Sequence, residues 1–127
     1  MKLLLDTHLL LWAATGQLPR QAAKLLEAPS HELFFSAASL WEVAIKSGLG
    51  RKDFEFDVQL LRRGLVDAGY TEVAVTAGHA AALAGLPAIH RDPFDRMLLA
   101  QAAYEGLELV TNDDVLGKYD GYPVRVI

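Results

Sequence analysis

Cysteine is absent from the 127 residues. Disulfide scaffolds, thiolate zinc sites, iron–sulfur clusters and cysteine nucleophiles are excluded together, and any metal must be held by oxygen or imidazole. Long apolar runs are missing too. The N-terminal leucines are interrupted by Asp6 and His8, and nothing reaches the roughly 18 uncharged apolar residues that a membrane helix needs. The expectation is a soluble protein with no membrane partner and the cytoplasm as its default compartment. Positive charge is in short supply, with 12 Lys+Arg against 16 Asp+Glu and a formal net charge of −4. That balance argues against nucleic acid as a partner, because Lys and Arg supply phosphate contacts.

What is present is core material. With 52% hydrophobic and 22% charged residues, the chain has enough for one buried core and no compositional signature of disorder. No repeat, low-complexity tract or linker divides it, so a single domain over residues 1–127 is expected. Short continuous apolar runs at Leu3–Leu5, Leu33–Phe35, Val73–Val75, Leu107–Val110 and Val124–Ile127 read as strands. Between them lie helical segments at about 9–14, 19–28, 40–47, 58–68, 77–84 and 93–104. Ser36 or Ser39 is expected to cap the third, Thr76 the fifth, and Asp92-Pro93 opens the sixth. Residues 48–56 read as an irregular connection, and Trp12 and Trp41 as mainly core. Non-alternating strands separated by helices define a three-layer α/β/α domain with a central, mostly parallel sheet.

In such sheets ligands bind beyond the carboxyl ends of the strands, where the following helices present their N-termini. Asp6 and Asp113 follow strands at that rim, Glu42 lies near the start of the third helix, and Asp95 lies in the first turn of the sixth. Each has an ordinary explanation: Asp6 and Asp113 as turn or capping residues, Glu42 in a capping box with Ser39 or paired with Lys46, and Asp95 in the field of its helix. Their common rim is left over. Four carboxylates there require a cation, and oxygen ligation selects Mg2+ or Mn2+. Such an ion activates water for attack on a phosphodiester and stabilises the leaving oxygen. Without these four, acids and bases balance at 12 each, so the negative charge no longer argues against a nucleic-acid substrate.

Leu4-Leu5-Asp6-Thr7-His8, Ser39-Leu40-Trp41-Glu42-Val43-Ala44-Ile45-Lys46, His90-Arg91-Asp92-Pro93-Phe94-Asp95-Arg96 and Leu109-Val110-Thr111-Asn112-Asp113 resemble, in that order, the motifs of PIN-domain proteins. The likeness is greatest to the VapC-like toxins of bacterial type II toxin–antitoxin pairs. It implies a PIN fold, Mg2+- or Mn2+-dependent endoribonuclease activity, and inhibition by a cognate VapB-like antitoxin. It also implies a homodimer, or a hetero-oligomer with the antitoxin. Carried over by position, Asp6, Glu42, Asp95 and Asp113 form a catalytic, metal-binding quartet, with Asp114 an alternative to Asp113. The attacking water is then oriented by carboxylates, with no dedicated His or Ser; His8 and His90 stand outside the catalytic set.

Thr7 and Asn112, each beside an acid, are candidates to orient carboxylates or water. Arg91, Arg96 and Lys46 are candidate RNA contacts, and Lys46, Arg51, Lys52, Arg62 and Arg63 together could form a basic rim. Two other readings compete. A PIN-fold nuclease acting on structured DNA would share these residues, whereas a receiver-type phosphoacceptor would require adjacent acids after the first strand and a late-strand lysine, and has neither.

Overall fold

Leu3, Leu4 and Leu5 have no exposed surface, the result expected of a strand covered on both faces. In the computed structural model, which describes residues 1–127, this strand, β1 (Lys2–Leu5), is the middle of a five-stranded sheet. Its companions are β2 (Glu32–Ser36), β3 (Thr71–Val73), β4 (Glu108–Thr111) and β5 (Val124–Val126), in spatial order β3-β2-β1-β4-β5. Every pairing is parallel, with Leu4 opposite Phe34 on one side and Leu109 on the other. The helices are α1 (Thr7–Thr15), α2 (Arg20–Leu26), α3 (Ala37–Gly48), α4 (Val58–Asp67), α5 (Ala77–Leu83) and α6 (Pro93–Glu105).

Side-chain alternation along β1 divides the core. Leu3 and Leu5 join Leu10 of α1, Leu26 of α2, Val43 of α3 and Leu61 of α4. Leu4 faces the other way, toward Leu98 and Leu99 of α6 and Leu109 of β4. The three layers follow from that division. Leu99→Ala is expected to cost about 2–5 kcal/mol, as for other fully buried leucines, read as a lower urea midpoint; Leu60, 60% exposed, should tolerate the same change with little loss.

Two expectations need correction and two are narrowed. The third strand is Thr71–Val73, not Val73–Val75. As an edge strand bonded only to β2 it accepts the polar Thr71 and Glu72, so the apolar run misplaced it. The cap of α3 is Ser36, whose hydroxyl accepts the Ala38 N–H; Ser39 is buried one turn inside and accepts the Thr7 hydroxyl, so Glu42 belongs to no capping box. Residues 48–56 contain a short 3-10 turn, Lys52–Phe54, that sets Phe54 fully into the core. Trp41 is 63% exposed and stacks edge-to-face on Phe94, while Trp12 is half-buried. A single aromatic in a polar stretch, or on a helix face turned outward, carries no periodic signal of its burial.

Candidate metal centre

β1 and β4 are adjacent and parallel, so the residues following them come out side by side. Asp6, 3% exposed, is the N-cap of α1: its Oδ1 accepts the Leu9 N–H at 2.9 Å. Its Oδ2 accepts the Thr111 hydroxyl at 2.5 Å. The same hydroxyl accepts the Asp113 N–H at 3.0 Å, so one buried threonine joins the two acids that follow the central strands. Sequence reading assigned such a role to the neighbouring Asn112 and to Thr7. Asn112 is exposed, and Thr7 donates to Ser39 at 3.0 Å and so ties α1 to α3 instead of orienting an acid. Thr111 is still inside β4 and fully buried, whereas Asn112 lies beyond the strand; only the pairing of β4 with β1 brings the Thr111 hydroxyl to Asp6.

Glu42, also 3% exposed, lies in the second turn of α3. Its Oε2 meets Lys46 Nζ at 2.5 Å, one turn on; its Oε1 is buried without a hydrogen-bond partner. Lys46 also lies 4.7 Å from the centre of the Phe54 ring. Removing this ammonium would leave a buried carboxylate uncompensated. Lys46→Ala is therefore expected to lower stability by about 1–3 kcal/mol, seen in chemical denaturation, with much less loss when Glu42→Gln is made in the same chain.

Asp95 lies in the first turn of α6, where Asp92 caps the helix through the Phe94 and Asp95 N–H groups. Burial, then the negative charges of Asp92, Asp6 and Glu42, push its carboxyl up to about 7, against the pull of His90. Burial likewise raises Asp6, more than its bonds from Thr111 and Leu9 lower it. Asp113 differs. Burial tends to raise it, but bonds from His90 and the Val115 N–H outweigh that and hold it below the ordinary carboxylate range. Asp114 is exposed, which leaves Asp113 as the acid turned toward the others.

The tightest convergence includes a residue that sequence reasoning set aside. Ligand atoms of His90, Asp95 and Asp113 lie within 4.8 Å of one another; His90 Nε2 is 2.7 Å from Asp113 Oδ2 and 3.4 Å from Asp95 Oδ2. Asp6 and Glu42 stand outside that trio, close enough for their charges to act on Asp95. Of the basic candidates, Arg96 donates to the Pro87 carbonyl and Tyr119 hydroxyl, and Lys46 is paired with Glu42. Arg51 pairs with Asp53 and Arg62 with Glu72, so the basic rim is largely neutralised by its own acids. Arg91 is exposed.

The donor set is oxygen and imidazole with no thiol, negative charge is crowded beside Asp95, and Glu42 Oε1 is a buried acceptor without a donor. Those features fit a hard divalent cation. Fold and rim thus define an α/β domain whose parallel strands end in a buried acidic centre. The PIN domain model matches residues 3–122, and the chain belongs to that family. PIN domains are nucleases and generally use divalent metals; the receiver-type alternative falls with that membership.

No curated protein matches the chain. Among solved structures it is similar to VapBC2 from Rickettsia felis bound to a DNA fragment from its promoter, with a TM-score of 0.74 and 16% identity over 99% of this chain and 98% of that one. It is also similar to VapBC-1 from nontypeable Haemophilus influenzae, with a TM-score of 0.68 and 14% identity over 99% and 98%. A toxin–antitoxin complex from Klebsiella pneumoniae gives a TM-score of 0.65 and 23% identity over 97% and 95%. At these identities the likeness is one of fold.

Proposed function

We propose that this chain is a metal-dependent endoribonuclease acting as the toxin of a type II toxin–antitoxin pair, with Asp6, Glu42, Asp95 and Asp113 holding Mg2+ or Mn2+. The observation that carries the metal reading is the crowding at Asp95: the charges of Asp92, Asp6 and Glu42 act on one half-buried carboxyl, and beside them Glu42 Oε1 lacks a donor. Held by these carboxylates, a divalent ion would supply the missing positive charge and the means to activate a water and to stabilise a departing oxygen. The chain's own residues do the rest. Thr111 fixes the rotamer of Asp6, the α1 N-terminus holds its other oxygen, and Lys46, lying over the Phe54 ring, holds Glu42.

The toxin reading draws support from the family and from structural neighbours that are toxin–antitoxin complexes. Its partners are RNA and a VapB-like antitoxin, in a homodimer or a hetero-oligomer with the antitoxin, in the cytoplasm. Brief expression followed by sequencing of RNA 5′ ends tests it. New ends at defined positions, missing with Asp6→Asn, are expected, and purified protein should lose cleavage in EDTA. Cleavage undiminished by EDTA would defeat the metal reading; cutting of structured DNA with RNA left intact would defeat the ribonuclease reading.

A further inference from the structure

His90 lies between two of the proposed ligands, and its hydrogen bonds state what it can do there. The Asp92 N–H donates to His90 Nδ1 at 3.0 Å, so Nδ1 serves as an acceptor and the ring proton resides on Nε2. Nε2 faces Asp113 Oδ2 at 2.7 Å and Asp95 Oδ2 at 3.4 Å. A metal ligand at Nε2 would need its lone pair there and the proton moved to Nδ1, directly against the Asp92 N–H. The local backbone disfavours that tautomer.

The backbone that carries the ring is also held in place. The His90 N–H donates to the Tyr119 hydroxyl at 2.8 Å, and Tyr119 is 3% exposed. Arg96 donates to the same hydroxyl at 3.3 Å and to the Pro87 carbonyl at 2.9 Å. One buried tyrosine thereby fixes the approach to α6 against the segment that follows β4.

Resting on the metal reading above, we propose that His90 is a positioning residue of the centre and not a ligand: its Nε2–H bonds Asp113, beyond β4, while the same nitrogen lies 3.4 Å from Asp95, on α6, and so sets the spacing of two carboxylates that belong to different elements. In the metal-free protein no other side chain lies between the two acids, so without this donor their like charges are left facing one another. Residues that orient ligands by hydrogen bonds typically alter metal affinity by about 10–100-fold when removed.

The test is Mn2+ binding by calorimetry and pulsed electron paramagnetic resonance on the full chain. His90→Ala should weaken Mn2+ about 10-fold or more, whereas His90→Gln, whose side-chain N–H2 can reach the same acids, should recover most of the affinity. The Mn2+ adduct of the unmodified protein should show no 14N coupling from imidazole. Equal affinity in His90→Ala, no recovery in His90→Gln, or a clear 14N coupling each overturns the positioning role while leaving the metal reading intact. Failure of the unmodified protein to bind Mn2+ overturns both. The 14N measurement needs no substitution, so it decides the matter even where His90→Ala fails to fold.

Discussion

Asp95→Asn is expected to move two measurements in opposite directions: RNA cleavage falls by ~100-fold or more, while the metal-free protein melts at a higher temperature at pH 7.5. The first effect follows from the loss of a carboxylate proposed as a ligand, each lost ~1.4 kcal/mol of transition-state stabilisation costing tenfold in rate. The second follows from linkage. The Asp95 carboxyl stands near 7 in the folded chain against 3.8 in the reference state, chiefly through burial. A group raised on folding contributes stability below its unfolded pKa, and that contribution disappears as pH rises through the folded value. Stability of the metal-free protein should therefore decline from about pH 4 to pH 7, by at most a few kcal/mol, and the asparagine variant should lack most of that decline. Asp113, held low by His90 and Val115, works in the opposite sense and only in more acidic solution. A variant that cleaves normally, or that shows the same pH-dependent decline as the parent, would remove Asp95 from the centre.

Adding Mg2+ or Mn2+ should reverse the decline. An ion that binds only the folded chain stabilises it by about 2.7 kcal/mol at a concentration one hundredfold above Kd. For a domain of this size that corresponds to a Tm increase of roughly 5–15 °C. Protons and cations compete for the same carboxylates, so the increase should be larger at pH 8 than at pH 5. Calorimetry of the parent and of Asp6→Asn at both pH values separates this from general salt effects, because the variant should lose most of the pH 8 shift. An equal increase in both proteins would mean that the ions bind elsewhere.

The layer order and the rim were legible because they depend on local properties. Leu3–Leu5 and Leu107–Val110 are apolar without alternation, Asp92-Pro93 and Thr76 carry capping chemistry, and strand ends fix where Asp6 and Asp113 emerge. What escaped depends on partners distant in sequence. Thr111 was passed over for Asn112 because only the pairing of β4 with β1 shows which residue turns inward. His90 looked like a surface residue next to a helix start until the Asp92 amide and Tyr119 hydroxyl oriented it. Lys46 and Arg96 looked like phosphate contacts, yet each already has a partner inside the protein. Trp41 followed the apolar pattern of α3 while pointing outward, since periodicity locates a face without saying what covers it.

The pairing of β1 with β4 also governs when the centre exists. The bond from Thr111 to Asp6 spans 105 positions in the chain, and the central strand is the first to leave the ribosome. Until residue 111 follows, β1 has one edge unpaired and Asp6 lacks the hydroxyl that sets its rotamer. Non-local parallel pairing of this kind is slow to form. A chain that stops short of residue 111 thus lacks the bond that sets Asp6, and the acidic rim is assembled only when β4 joins the sheet.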